Sequence, residues 1–352
     1  MNLEQTIQSI KPLCAESMDG ARRRFTNIAI PLGSLGLLED AIIQLAGIRK
    51  TVKPTIGRRA VVVFCADNGV VAQGVTQCGQ EVTAIVTENM NRGESTVCLM
   101  AKHLGIEVVP VDIGVARDVA GDKIVHRKIA YGTKDITAAP AMTREEAVRA
   151  IEIGIEMAET CAKNGMELLC VGEMGIGNTT TSAAVTAALL GLPVETVTGR
   201  GAGLSSEGLA RKITAISAAL TLHKPDGSDP VDVLSKVGGF DIAGMVGLYL
   251  GGAACGLPVM IDGVIACAAA LLAVRLCPGA RDYMLASHCS EEPAGKLLLE
   301  ALEAKPFITA GMRLGEGTGA AAAVSLLDLA LAAYLGMVSF DDAGIEAYQP
   351  LT

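Results

Sequence analysis

Four short apolar runs recur at long intervals: 60–66 (AVVVFCA), 106–111 (IEVVPV), 167–171 (ELLCV) and 257–261 (LPVMI). Each is too short for a helix and apolar on both faces, the pattern of a strand covered on two sides. Between them lie stretches of helical periodicity at 81–104, 143–164, 179–190, 205–222 and 243–255. Strand, helix, strand in that order implies parallel pairing through right-handed crossovers, hence an α/β fold. The first 55 residues and the last 30 or so read as helices without strands. The expected organisation is therefore a large α/β domain over 56–321 and a small helical lobe built from 1–55 and 322–352. The longest apolar stretches, 263–276 and 317–337, are broken by Arg275 and by Thr318, Ser325 and Asp328, and they read as buried helices rather than membrane spans. Glu4, Gln5, Gln8 and Lys11 deny the start of the chain the character of a signal peptide, so a cytoplasmic protein is expected.

Composition narrows the function classes. Half of the 352 residues are hydrophobic, only 3% are aromatic, Trp is absent and Gly numbers 40. Glycine at that density suits tight turns and close backbone approach to a small molecule. Few aromatics leave no base-stacking platform, and a net charge of −9 disfavours nucleic acid as a partner. The ten cysteines include no C-x-x-C pair; Cys65, Cys98, Cys161, Cys170, Cys255 and Cys267 sit in apolar runs and read as buried free thiols. The four histidines form no H-x-x-x-H pair, so no metal site is expected.

In parallel sheets ligands bind beyond the carboxyl ends of the strands, which directs attention to the residues just after each run. After the first comes Asp67-Asn68-Gly69, after the third Gly172 to Thr181 (GEMGIGNTTT), after the fourth Asp262-Gly263. The Gly172 loop nearly matches G-x-x-x-x-G-K-[ST], but Asn178 replaces the lysine and Glu173 lies inside it. A single phosphate or a ribose fits such a loop better than a triphosphate with Mg²⁺. A second glycine cluster, Gly199, Gly201 and Gly203, precedes a helix carrying Arg211 and Lys212, a local source of positive charge. The third, Met312-Arg313-Leu314-Gly315-Glu316-Gly317, opens an Ala-rich helix. There Glu316 fits equally a favourable charge at a helix start and a general base partly withdrawn from water.

Taken together, PLGSLGLLE from Pro31, CADNGV from Cys65, VTENMNRG from Val86, GEMGIGNTTT from Gly172, DVLSKVGGFDIAGM from Asp232, GLPVMIDG from Gly256 and MRLGEGTGA from Met312 resemble one family. It is that of the nicotinate-nucleotide:dimethylbenzimidazole phosphoribosyltransferases of cobalamin biosynthesis. The resemblance implies a Rossmann-like parallel sheet with a small helical lobe, and a homodimer, or a heterodimer with a homologue, whose neighbouring subunit completes the site. It implies no cofactor, nicotinate mononucleotide as donor and an aromatic base as acceptor. Glu316 is then the general base. Glu173, Gly175, Gly177, Asn178 and Thr179 hold ribose and phosphate, with Gly201, Gly203 and Lys212 on the phosphate side. Leu314, Gly315, Val86 and Asp262 complete the expected site. Where the family carries a Gln in the helix before NMxRG and a Ser just ahead of it, this chain has Val86 and Cys78-Gly79. That departure leaves the acceptor open among dimethylbenzimidazole, another benzimidazole, adenine and a phenolic compound.

Overall fold

The computed structural model describes residues 1–349, so residues 350–352 of the expected terminal lobe lie outside the described residues. Among the described residues, six strands form one parallel sheet: β1 (Arg59–Ala66), β2 (Glu107–Gly114), β3 (Val125–His126), β4 (Leu168–Met174), β5 (Val259–Ile261) and β6 (Met284–Ala286). Their order, β3-β2-β1-β4-β5-β6, is that of a Rossmann-like doubly wound sheet. The four expected strands are all present. The sequence reading missed β3 and β6, which at two and three residues are too short to show a period.

The alternation of side chains along β1 explains why its run is apolar throughout. Val62 and Phe64 enter one core, with helices Arg144–Lys163, Phe240–Cys255 and Val264–Leu276. Val61, Val63 and Cys65 enter the other, with helices Ala15–Asn27, Leu37–Arg49 and Thr318–Gly336. Helices from the two chain ends also meet each other. The Arg24 guanidinium donates to the carbonyls of Tyr334 (3.0 Å) and Leu335 (3.1 Å), and the rings of Phe25 and Tyr334 lie 4.6 Å apart. Thr318–Gly336 is long and apolar enough to cross a membrane by length and composition; here Val324, Leu327 and Tyr334 are buried in the second core.

Two expectations are corrected. The single helix expected over 81–104 is two helices, Glu81–Arg92 and Thr96–Leu104. Gly93 ends the first with φ +77°, and the Ser95 hydroxyl caps the second by accepting from the Cys98 N–H. Cys255, expected in the core, is only half-buried where its helix ends, whereas Cys65, Cys98, Cys161, Cys170 and Cys267 are buried thiols.

The tightest packing in the fold is between helices Arg144–Lys163 and Phe240–Cys255. A Cβ on Gly154 would fall 2.0 Å from the Gly244 carbonyl oxygen, and one on Gly247 would fall 1.8 Å from that of Ile151. Both obstacles are backbone, which cannot rotate aside. Gly247→Ala is therefore expected to destabilise the protein by about 3 kcal/mol, read as a lowered thermal midpoint. Gly336→Ala, in a helix end where a Cβ would meet nothing described within 4 Å, should leave the midpoint in place.

Candidate active site

The strand order reverses direction between β1 and β4, and a crevice opens at their carboxyl ends. A cavity of about 180 Å³ lies there. Its walls include Glu173, Gly175, Gly177, Asn178, Thr179, Gly201, Gly203, Asp262, Leu314, Gly315 and Glu316. Three loops far apart in sequence thus converge as expected, with Lys212 buried behind the second of them. Val86 does not line this cavity; it is half-buried on helix Glu81–Arg92, packed against the second core. Cys78 does line it, as does Arg313 of the third loop; Gln77, His288 and Glu292 also line it, and no motif pointed to those three.

Glu173, the penultimate residue of β4, is almost wholly buried. The Asn178 amide donates to Glu173 Oε2 and also to Asp241 Oδ2 at 3.0 Å. This explains the residue found in place of the P-loop lysine: an amide with two N–H donors bridges two buried carboxyls. Burial, and next the charge of Asp241, push the Glu173 carboxyl well above the usual range. Burial likewise raises Asp241 to about 6, and its Oδ1 has no hydrogen-bond partner among the described residues. Asp241 carried no site assignment from sequence; its segment, DVLSKVGGFDIAGM, entered only among the motifs of the resemblance. Asp67 is structural: its Oδ2 accepts from the Ala116 N–H at 2.7 Å, fixing the chain beyond β2.

Glu316 lies between Gly315 (φ +90°) and Gly317 (φ +87°) and itself adopts φ +60°. A left-handed conformation costs a non-glycine residue roughly 1–2 kcal/mol, so neighbours must impose it. The Glu316 N–H donates to the Glu173 carbonyl at 3.3 Å, and a Cβ on Gly172 would lie 2.6 Å from the Glu316 carbonyl oxygen. Asp262 completes the restraint, Oδ2 accepting from the Gly317 N–H (3.3 Å) and Oδ1 from the Ala320 N–H (2.9 Å). Both Asp262 oxygens are thus committed to the loop and to the start of helix Thr318–Gly336. Burial raises the Asp262 carboxyl, with His288 opposing. Because Asp262 caps that helix, Glu316 is free of capping it. The Glu316 Oε2 instead accepts from the Val97 N–H (3.1 Å), in the first turn of helix Thr96–Leu104.

On the other wall, Lys212 is wholly buried, its ammonium donating to Thr179 Oγ1 (2.8 Å) and the Gly199 carbonyl (3.2 Å). Burial lowers it to about 8, an effect that the charge of Glu292 opposes. Arg211 does not reach the loop; it donates to the Gly74 carbonyl at 3.2 Å. Gly201 and Gly203 take φ +54° and +109°, which turns the loop without Cβ strain.

The Asp241 carboxyl has a consequence for stability. Its folded value lies above its ordinary 3.8, so its contribution is full below about pH 4 and is lost as pH rises to about 6. Asp241→Asn cannot ionise, while its side-chain oxygen can still accept from Asn178. The thermal midpoint of the variant relative to wild type is expected to rise between pH 4 and 6 and level off above; a constant difference would show that Asp241 does not titrate there.

Residues 10–345 match a family model described as DBI_PRT, phosphoribosyltransferase. A nicotinate-nucleotide–dimethylbenzimidazole phosphoribosyltransferase from Acetivibrio thermocellus is 49% identical over 348 residues, 99% of each chain. One of the same name from Ruminiclostridium cellulolyticum is 48% identical over 351 residues, the full length of both. A crystal structure of CobT from Thermus thermophilus matches with TM-score 0.90 at 42% identity, covering 95% of this chain and 100% of that one. On these grounds the chain belongs to the DBI_PRT phosphoribosyltransferases, the family its loop motifs resemble.

Proposed function

We propose that this protein transfers the 5-phosphoribosyl group of nicotinate mononucleotide to 5,6-dimethylbenzimidazole, giving α-ribazole 5′-phosphate and nicotinate, the activation of the cobalamin lower ligand. One observation carries the assignment of parts: a single cavity is walled both by Glu316, fixed through the Val97 amide, and by the glycine loop backed by Lys212. The first supplies a base and the second a place for an anion.

The chemistry needs little else. In the donor the glycosidic nitrogen is a pyridinium, so the C1′–N bond breaks with its electrons passing to a nitrogen that becomes neutral, and no acid is required. One nitrogen of the acceptor forms the new bond to C1′ from the opposite face, converting a β-nucleotide to an α-riboside. The other nitrogen loses its proton to Glu316. Glu173, whose proton affinity is raised by burial and by the charge of Asp241, stands at the cavity wall where the ribose would lie. Alignment of two bound substrates supplies much of the acceleration, up to roughly 7–11 kcal/mol in ideal systems.

The acceptor side is less polar than the family pattern where Cys78 lines the cavity. Dimethylbenzimidazole, two methyl groups on an apolar ring, suits that wall. We further propose that a second copy of the chain completes this side. Ile85, Leu99 and Leu329 expose large apolar side chains on helices Glu81–Arg92, Thr96–Leu104 and Thr318–Gly336, which a second subunit would cover. A cytoplasmic setting accords with ten free thiols and a nucleotide donor.

Glu316→Gln should still bind nicotinate mononucleotide while releasing nicotinate about 10²–10⁴-fold more slowly in the presence of dimethylbenzimidazole; undiminished turnover would remove Glu316 from the role of base. The Lys212 ammonium, lowered to about 8, loses its proton and its attraction for phosphate above that pH. Accordingly kcat/KM for nicotinate mononucleotide should fall above about pH 8, and Lys212→Met should raise KM and abolish that limb.

A further inference from the structure

The loop read above as the phosphate site already holds an anion belonging to the chain itself. Glu292, which ends the segment after β6, accepts from the Gly201 N–H through Oε1 at 3.0 Å. The fit is close: a Cβ on Gly199 would fall 2.0 Å from Glu292 Oε2, so the absence of a side chain at 199 is what admits the carboxylate. The same carboxylate acts on Lys212, raising its proton affinity against the effect of burial. Of the three N–H donors of Lys212, one goes to Thr179 Oγ1 and one to the Gly199 carbonyl. The loop amide and the buried ammonium, the two features a phosphate would use, therefore both feel Glu292 before any ligand arrives.

We propose that Glu292 is the specificity-determining residue of this loop: it occupies the anion position in the free protein and yields it to a phosphate monoester dianion but not to a monoanion. A monoanion offers Lys212 and the Gly201 amide no more charge than Glu292 already supplies, so it gains nothing by displacing it. A phosphate monoester offers close to twice that charge and three acceptor oxygens. Glu292 thereby lowers affinity for every anion and leaves the donor's phosphate as the ligand able to enter. This inference rests on the reading of the 199–203 loop as the phosphate site. The opposing possibility is a buttress, in which Glu292 stays bound and merely shapes the loop, and it predicts the opposite sign.

The test uses the full-length enzyme with Glu292→Gln, whose side-chain carbonyl can still accept from Gly201, and Glu292→Ala. The readouts are KM for nicotinate mononucleotide, separated from kcat, and competitive inhibition by inorganic phosphate and by formate. Removing the charge is expected to lower KM and the phosphate inhibition constant roughly fivefold, the scale of a partly exposed charge interaction. Formate, which should not compete in the wild type, should compete with the nucleotide in both variants. A KM and a phosphate inhibition constant unchanged or raised in both variants would overturn the proposal in favour of the buttress. If instead phosphate does not compete in the wild type and Lys212→Met leaves KM unaltered, it is the phosphate-site reading itself that fails.

Discussion

The arrangement of the site depends on one carboxylate that is spent entirely on backbone. Asp262 leaves β5 and takes the N–H groups of Gly317 and Ala320, so the segment before helix Thr318–Gly336 is pinned to the sheet rather than left as a free turn. Once that end is fixed, the bare face of Gly172 allows the loop to lie against β4, with Glu316 in the left-handed conformation. The strain at Glu316 is small beside the hydrogen bonds that impose it. The Glu316 side chain is thus aimed by rigid elements, with its own backbone held by Asp262 and the β4 edge.

A second constraint is the gathering of acids where charge is least welcome. Glu173, Asp241 and Asp262 are all buried at the switch point, and no Lys or Arg among the described residues pairs with them there. The chain resolves this by sharing. One amide, Asn178, serves two carboxyls, and backbone N–H groups serve the third. Burial does the rest, raising the proton affinity of the Glu173 carboxyl. On the proposed reading, backbone amides and a single buried ammonium are what an acidic protein would use to hold a phosphate without a patch of positive surface.

Much of this was legible in the residues. Apolar runs bounded by Gly and Asp located the four central strands, and the polar Gly-rich segments after them located the cavity walls. What escaped notice did so for physical reasons. The strands β3 and β6 carry too few residues to register a period. Asp241 and Glu292 lie in segments whose local chemistry is ordinary, a helix start and a polar turn, and acquire meaning only from partners 63 and 91 residues distant. Asp262 stood out correctly as a strand-end acid, yet sequence alone could not separate touching a ligand from holding a loop. Val86 packs against the second core instead of lining the cavity that its motif suggested.

The interruption between helices Glu81–Arg92 and Thr96–Leu104 looks at first like a mere irregularity of the crossover between β1 and β2. It produces the free amide of Val97 that Glu316 meets across 219 positions of sequence. With Glu173 supplied from the middle of the chain and Asp262 from its third quarter, the Glu316 side chain reaches this position only when the earliest crossover and the last long helix have both docked. Long-range closures of this kind are slow steps in folding. The geometry at Glu316 is consequently a property of the finished molecule: a chain that stopped before helix Thr318–Gly336 would lack both the Asp262 contacts to Gly317 and Ala320 and the docked loop that brings Glu316 to the Val97 amide.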